Sequence, residues 1–329
     1  MNKKILLFAP KTFGFYQHII DALQAEGFDV VFFDELFTEK LRFFKKVLLK
    51  LPLSVKVKLQ KWYVSSLVKE LQCDFSYIFI IRGEYFSPEV LKIIENRFPV
   101  SKRIMYQWDS SRNLHFFEKQ IFWFHRIFTF DRTDADKFGL RHKCLFFNGF
   151  HVNARSESIA PGKLSFIGTH HSNRLSFIRQ FLSENPRFID KADIKLYRPF
   201  SSIFRALLFN KSELEGGKIR DFVAEPISEL EVIGTLSSSE FILDITQPGQ
   251  VGLTIRTFEA LGLGRKLVTT NADVKKYDFY DPANILVISD NDLTVPEEFI
   301  VQPYRPVPAE VLNRYFVKFW VREFFDDSH

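Results

Sequence analysis

Cysteine is nearly absent from this sequence: Cys73 and Cys144 are the two in 329 residues. They stand far apart and match neither a metal-ligand nor a redox spacing, which argues against a disulfide framework or a thiol nucleophile and for a reduced, cytoplasmic chain. Long apolar runs are missing too, since no stretch reaches the about 18 apolar residues that a membrane-crossing helix needs. The opening MNKKILLFAPKTFGFY has a charged start, but its apolar run is only about six residues and ends at Pro10 without a small-residue cleavage site. It reads as a first buried strand. Low-complexity tracts are lacking as well, so nothing in the composition calls for disorder.

What remains is a globular composition, with 46% hydrophobic and 26% charged residues. A chain of 329 residues is too long for one ordinary core and suits two domains of roughly 150 residues each. Phenylalanine is abundant, at 39 residues, and several occur in pairs beside Lys or Arg, as in LRFFKKVLLK and VKFWVREFF. Those pairs read as surfaces that meet something. The net charge of +5 is modest and no reader motif is present, so no nucleic-acid partner is expected. The charge is uneven, however: Leu36 to Gln72 holds nine Lys/Arg against two acidic residues, interleaved with Leu, Val, Phe and Trp62. This segment, 36–72, reads as one or two basic amphipathic helices. They have either an ordinary solvated lysine face or a face that docks on an anionic membrane or acceptor.

The order of apolar runs is that of an α/β chain. KKILLFAP, YQHIIDALQAEGF and DVVFFDE read as strand, helix, strand. After the basic insertion the rhythm resumes with FSYIFIIRG, a capped helix in SPEVLKIIENRF, and strands in KRIMYQWDS, RIFTFD and KCLFFNG. A polar stretch at about 150–162, with Pro161 and Gly162, reads as the linker. Beyond it LSFIGTHHSNRLSFIRQFLSEN starts a second α/β half, continued by strands in DIKLYRPF, EFILDIT, RKLVTTN and NILVISD. The expected domains are 1–155 and 156–329, with the last helix packing back on the first. Doubly wound sheets bind ligands beyond the carboxyl ends of their strands, so two facing halves imply a ligand in the cleft.

Residues suited to chemistry stand at those strand ends. After EFILDIT comes QPGQVGLT, where Gln247, Pro248, Gly249, Gly252, Leu253 and Thr254 form a turning loop that feeds a helix start, a place suited to an anion. Arg256 and Glu259, three apart on that helix, can address a phosphate and vicinal hydroxyls respectively, or form a structural ion pair. In the second half, FIGTHHSNR offers Thr169, His170, His171, Ser172 and, in the first turn of its helix, Arg174, another anion site by the same physics. Adjacent histidines diverge and no carboxylate or thiol cluster joins them, so no metal is expected. In the first half, Arg82 and Glu84, Asp109, Ser110 and Arg112, and Asp131 follow apolar runs and face the carboxyl edge. Asp109, after Trp108, is the leading general base because partial desolvation raises a carboxyl towards neutral pH. Asp109 and Asp131 can equally cap the next helices, and His18 is a lesser candidate.

GLTIRTFEALGLGRKLVTTN and the two-half organisation resemble the GT-B glycosyltransferases: two Rossmann-like domains facing a cleft, the donor bound mainly by the second. KRIMYQWDSSRN, LSFIGTHHSNRLSFI and the FEALGLG helix together resemble CgeB-like and bacterial capsular or lipopolysaccharide transferases. The resemblance implies that Glu259 holds the donor ribose, that the loop from Gln247 to Thr254 approaches the diphosphate, and that a nucleotide-sugar donor meets a glycan or glycolipid acceptor at the inner face of the plasma membrane. Many retaining relatives carry a second glutamate in an E-x7-E pattern, and no acid stands at its first position near Gly252, which leaves retention or inversion open. No Asp-x-Asp motif ends a strand, so Arg256, Arg174 and helix N-termini are expected to stabilise the leaving group in place of a metal or other cofactor. A nucleotide-sugar epimerase or a noncatalytic nucleotide-sugar or glycan-binding protein are the alternatives.

Overall fold

The computed structural model describes residues 3–326 apart from 12–13, 41–43, 49, 172 and 248. Ser172 and Pro248, and residues 41–43 of the basic segment, therefore lie outside the described residues. The chain divides into two compact units, the first reaching Cys144 and resuming at Val317, the second spanning Leu145–Phe316.

In unit 1 the strands are β1 (Lys4–Ala9), β2 (Asp29–Asp34), β3 (Tyr77–Ile81), β4 (Lys102–Gln107), β5 (Arg126–Thr129) and β6 (Arg141–His142). They form one sheet in the order β2-β1-β3-β4-β5-β6, with every pairing parallel. The helices are α1 (Phe15–Ala25), α2 (Lys45–Leu48), α3 (Leu53–Glu70), α4 (Pro88–Arg97), α5 (Phe117–Gln120) and α6 (Arg132–Phe138). A parallel sheet covered on both faces needs continuous apolar strands, and β3 is buried at every residue. The basic insertion does fold as helices, α2 and α3. One face of α3 (Tyr63, Val64, Leu67 and Val68) joins Leu6, Phe8, Ile78 and Ile80 in a single core.

Two expectations fail here. KCLFFNG is not a strand: pairing to β5 stops at His142, and Phe146 and Phe147 are buried outside the sheet as the chain passes into unit 2. VKFWVREFF is core and no surface. Trp320, Val321, Phe324 and Phe325 are buried, Trp320 Nε1 donates to the Cys144 carbonyl at 2.8 Å, and the Phe324 ring lies 5.0 Å from Phe79. The aromatic pairs fill space against β3 and β4, and the charges between them point outward.

Unit 2 carries β7 (Ala160–Thr169), β8 (Ala192–Tyr197), β9 (Ser239–Asp244), β10 (Lys266–Thr269) and β11 (Ile285–Val287), all parallel, in the order β11-β10-β9-β7-β8. Its helices are α7 (Gly149–Asn153), α8 (Arg174–Glu184), α9 (Phe200–Phe209), α10 (Glu229–Ser237), α11 (Ile255–Leu263), α12 (Glu297–Val301) and α13 (Ala309–Tyr315). The last short helix, α14 (Val317–Trp320), belongs to unit 1. The polar stretch read as a linker lies within unit 2: Asn148 caps α7, and Arg155 donates to the carbonyls of Gly262 at 2.5 Å and Leu261 at 3.2 Å. The sequence reading also passed over α10, which Ser228 caps by accepting from the Glu231 amide. Two parallel-sheet α/β units are thus the fold class expected.

Candidate functional site

A pocket of about 480 Å³ opens at the carboxyl edge of unit 2's sheet, within the range of small-molecule sites. Four strand exits line it: His171, Asn173 and Arg174 after β7; Thr246, Gln247, Gly249 and Gln250 after β9; Thr270, Asn271 and Asp273 after β10; Ser289 and Asp290 after β11. The loop after β9 is pinned to the exit of β10, because Thr246 N donates to Thr270 Oγ1 at 2.9 Å and Asn271 Nδ2 to the Val251 carbonyl at 3.2 Å. Gly249 turns within it at a φ of 77°, which a side chain would strain. Thr246 Oγ1 and Asp273 Oδ2 are buried in this lining without a hydrogen-bond partner, and buried polar atoms in native proteins are ordinarily paired. The pocket therefore holds polar groups in reserve.

Behind the loop the helix starts are occupied by the protein's own carboxylates. Thr254 caps α11, and its hydroxyl donates to Asp244 Oδ1 at 2.9 Å; the hydroxyls of Thr257 and Thr269 each reach Asp244 Oδ2 at 3.2 Å. Burial raises the Asp244 carboxyl, against these hydrogen bonds and the charges of Arg256 and Arg174. Leu253 is buried beneath the same turn. At α8 the equivalent place is filled by Glu215, which accepts from the Ser176 amide at 2.8 Å and meets His170 Nε2 at 2.8 Å. His170 also contacts Arg198 at 3.0 Å through Nδ1, so it is an internal bridge, while Thr169 is exposed at the strand end. Internal anions thus take much of the dipole attraction expected to serve a ligand.

Two arginines offset them. Arg174 donates to the carbonyls of Thr169 at 2.8 Å and Ile245 at 2.7 Å, tying β7 to β9 while lining the pocket. Gly168 makes room for it, since a Cβ there would meet Arg174 Nη1 at 3.1 Å and the Phe166 ring at 2.8 Å. Arg256 pairs with Glu259 and reaches the Ile167 carbonyl at 3.3 Å. Glu259 is buried, with His151 Nε2 at 3.7 Å on its other side. Burial acts to raise its carboxyl, but Arg256 and His151 outweigh it, so Glu259 stays ionised below the usual carboxylate range. Arg256 and Glu259 close on each other and neither lines the pocket. Phe258, Leu261 and Leu263 are buried as the helical pattern requires.

Unit 1 builds a different edge. Its strand order reverses at β1, and there Glu35, one residue past β2, is held by Arg82, one residue past β3. Arg82 Nε donates to Glu35 Oε1 at 2.5 Å, the Gly83 amide donates to Oε2 at 2.7 Å, and Glu84 lies 3.2 Å from Arg82. Arg82 has a φ of 69°, the left-handed region that side chains avoid, and Gln107 holds it there by donating to its carbonyl at 2.8 Å. Glu35 is itself clamped by α3, whose Gln60 donates to the Glu35 carbonyl at 2.6 Å and accepts from the Phe37 amide at 2.9 Å. Burial pushes the Glu35 carboxyl up to about 7 against the pull of Arg82. Asp109 is half-buried; burial raises its carboxyl, Arg82 lowers it and Glu84 raises it. Glu84 and Asp109 thus share one cluster with Arg82. Asp131 stands apart, capping α6 by accepting from the amides of Thr133 at 2.9 Å and Asp134 at 3.4 Å.

Sequence reasoning missed Glu35, Asp244 and Glu215. Asp244 was legible as the one acid inside the apolar run FILDIT; Glu35 and Glu215 act through partners distant in sequence. Among the described residues no group of three or more His, Cys, Asp or Glu could hold a metal ion, and no helix is long and apolar enough to cross a membrane.

No protein-family model matches the sequence, nor does any curated protein. Solved structures do match along the whole chain. HepE of Anabaena, solved with UDP and glucose, has a TM-score of 0.59 at 10% identity, covering 98% of this chain and 98% of its own. A glycosyltransferase of Rickettsia africae has 0.58 at 9%, covering 99% and 100%. UDP-GlcNAc 2-epimerase of Methanocaldococcus jannaschii, solved with UDP-GlcNAc and UDP, has 0.51 at 13%, covering 99% and 99%. These likenesses establish a shared fold, that of two parallel-sheet α/β units as in GT-B enzymes.

Proposed function

We propose that this protein is a glycosyltransferase that binds a nucleotide-sugar donor in the pocket of unit 2 and transfers its sugar to a hydroxyl of a bacterial surface glycan or glycolipid, as in capsule or lipopolysaccharide synthesis. The observation that carries the reading is the pocket's lining: a turning glycine loop, Arg174, and two unpartnered buried oxygens converge at the exits of parallel strands. Nucleotides bind such edges through phosphates on cations and loop amides, and neighbours of the same fold carry UDP or UDP-sugars.

Arg174, Gln247 and Gly249 meet the diphosphate. Thr246 and Asp273 offer their free oxygens to donor hydroxyls or base, and both can accept hydrogen bonds. Asp244, Thr254 and the Arg256–Glu259 pair position the loop from behind. In unit 1, Asp109 takes the acceptor's proton, with Glu84 beside it; burial raises its carboxyl, which makes it a stronger base. The leaving phosphate is stabilised by Arg174 and loop amides without a metal. The basic segment 36–72 serves the acceptor side, and its position at the inner membrane face follows from a lipid-linked acceptor.

Incubation with UDP-, GDP- and CMP-sugars tests the reading: binding of one nucleotide, weakened by Arg174→Ala, is expected, and no binding of any would contradict it. A second reading, epimerisation of the nucleotide-sugar, is favoured by the match to UDP-GlcNAc 2-epimerase. Formation of an epimer from donor alone would select it.

A further inference from the structure

We infer that the outer face of α9 in unit 2 is a membrane-docking surface for an anionic lipid bilayer, separate from the basic segment 36–72. The helix, FSSIFRALLF, buries Ile203 and Ala206 against the unit 2 core. On its other side Phe200, Phe204 and Leu208 stand at i, i+4 and i+8, exposed by 56%, 54% and 59%, and Phe209 at the end is exposed by 81%. Phe200 and Phe204 stack at 6.5 Å and 19°, which makes one continuous ridge. Four large apolar side chains exposed along one ten-residue helix form a patch that water-facing surfaces rarely carry.

The rim identifies the occupant. Arg205 on the helix and Lys211 two residues past its end are exposed; Lys211 has no ion-pair partner among the described residues, and Arg205 has only Glu213, at 4.0 Å. The acids of the same stretch are engaged: Glu213 by Arg198 at 3.0 Å, Glu215 by His170, and Asp221 by Arg179 at 3.0 Å. What the surface presents is aromatic side chains beside exposed cations, the complement of acyl chains below anionic headgroups. The basic helix α3 differs. On α3 Lys61 pairs with Glu89 and Lys56 lies over Tyr85 at 5.5 Å, while Lys40, ahead of the helix, lies over its half-exposed Trp62 at 5.9 Å. Its cations are partly spent on its own unit.

Docking by α9 would place the β8 exit, and with it the carboxyl edge that holds the pocket, at the lipid surface, because the helix begins three residues after Tyr197 ends β8. The test is co-sedimentation of the full chain with phosphatidylcholine vesicles, with and without phosphatidylglycerol. Binding to the anionic vesicles is expected, weakened by raised salt. It should fall at least about tenfold in the double variant Phe204→Ser, Phe209→Ser, which removes apolar surface that the bilayer would bury, and also in Arg205→Glu, Lys211→Glu. An unchanged thermal melt shows that the variants fold. Absence of binding at low salt, full binding by the Phe variant, or binding lost only on reversing Lys56 and Lys58 of α3 would overturn the inference. So would a concentration-dependent dimer that the Phe variant dissolves, which would give the face to a second copy.

Discussion

The carboxyl edges of the two sheets are built on the same parallel-strand frame and arrive at opposite electrostatics. In unit 2 the acids Asp244, Glu215 and Glu259 are withdrawn behind the strand exits and satisfied by hydroxyls, amides, His170 and Arg256. Arg174 and a glycine turn face the pocket together with Asp273 and Asp290, Asp273 with one oxygen paired to Lys276 at 3.0 Å. In unit 1 the arginine is withdrawn: Arg82 is held by Glu35 and Glu84, and Asp109 is left beside it with no hydrogen bond to its carboxylate among the described residues. The lesson is that the function of a strand exit depends on which charge is internally paired. On the proposed reading, Arg174 of one edge receives the donor's phosphates and Asp109 of the other accepts the proton.

The sharpest way to break that contrast is at Asp109. Asp109→Asn should lower transfer about 10²–10⁴-fold with nucleotide affinity unchanged, measured by turnover and calorimetry on the same sample; wild-type turnover would remove Asp109 from the base role. Next comes the pairing inside unit 1. Glu35→Ala strands Arg82 and should destabilise the unit by about 3–5 kcal/mol in denaturant unfolding, leaving the pocket of unit 2 able to bind below the transition. Weaker again is Gly249→Ala, which forces a side chain into the left-handed region for about 1–2 kcal/mol. It should appear in nucleotide affinity and leave turnover per bound donor unchanged. A last effect is in pH, spread over a range instead of falling on one contact. Because the folded value for Glu35, about 7, lies above its ordinary 4.5, its contribution to stability is complete below about 4.5 and is lost as pH rises through about 7. The slope is at most about 1.4 kcal/mol per pH unit. Glu35→Gln should flatten that part of the stability profile, and an unchanged profile would place the titration elsewhere.

Alternating apolar runs made the fold legible, because a parallel sheet buried on both faces leaves little freedom in where its strands lie. That Arg174, Gln247 and Gly249 line a pocket was legible for a similar reason, a cation and a glycine turn directly after strands, whereas Leu253 is buried and Thr254 caps α11. Arg256 and Glu259 show the limit. Their spacing admits both a ligand contact and an ion pair, and only the position of His151 and the Ile167 carbonyl shows them turned toward each other. Glu35 and Glu215 were illegible because each works through a contact far along the chain, Glu35 with Arg82 and Glu215 with His170. VKFWVREFF misled because aromatic residues beside lysines look alike whether the ring fills a core, as Phe324 does, or faces solvent, as Phe44 of LRFFKKVLLK does.

The central claim, that unit 2 binds the nucleotide through its strand-exit pocket, is tested most directly by calorimetric titration of UDP, GDP and CMP into the wild-type protein and Arg174→Ala. One of the three should bind the wild type, and the variant should lose about 1.5–3 kcal/mol, the contribution of hydrogen bonds to a charged group. Equal affinity of the two proteins, or no affinity of the wild type for any of the three, would contradict it.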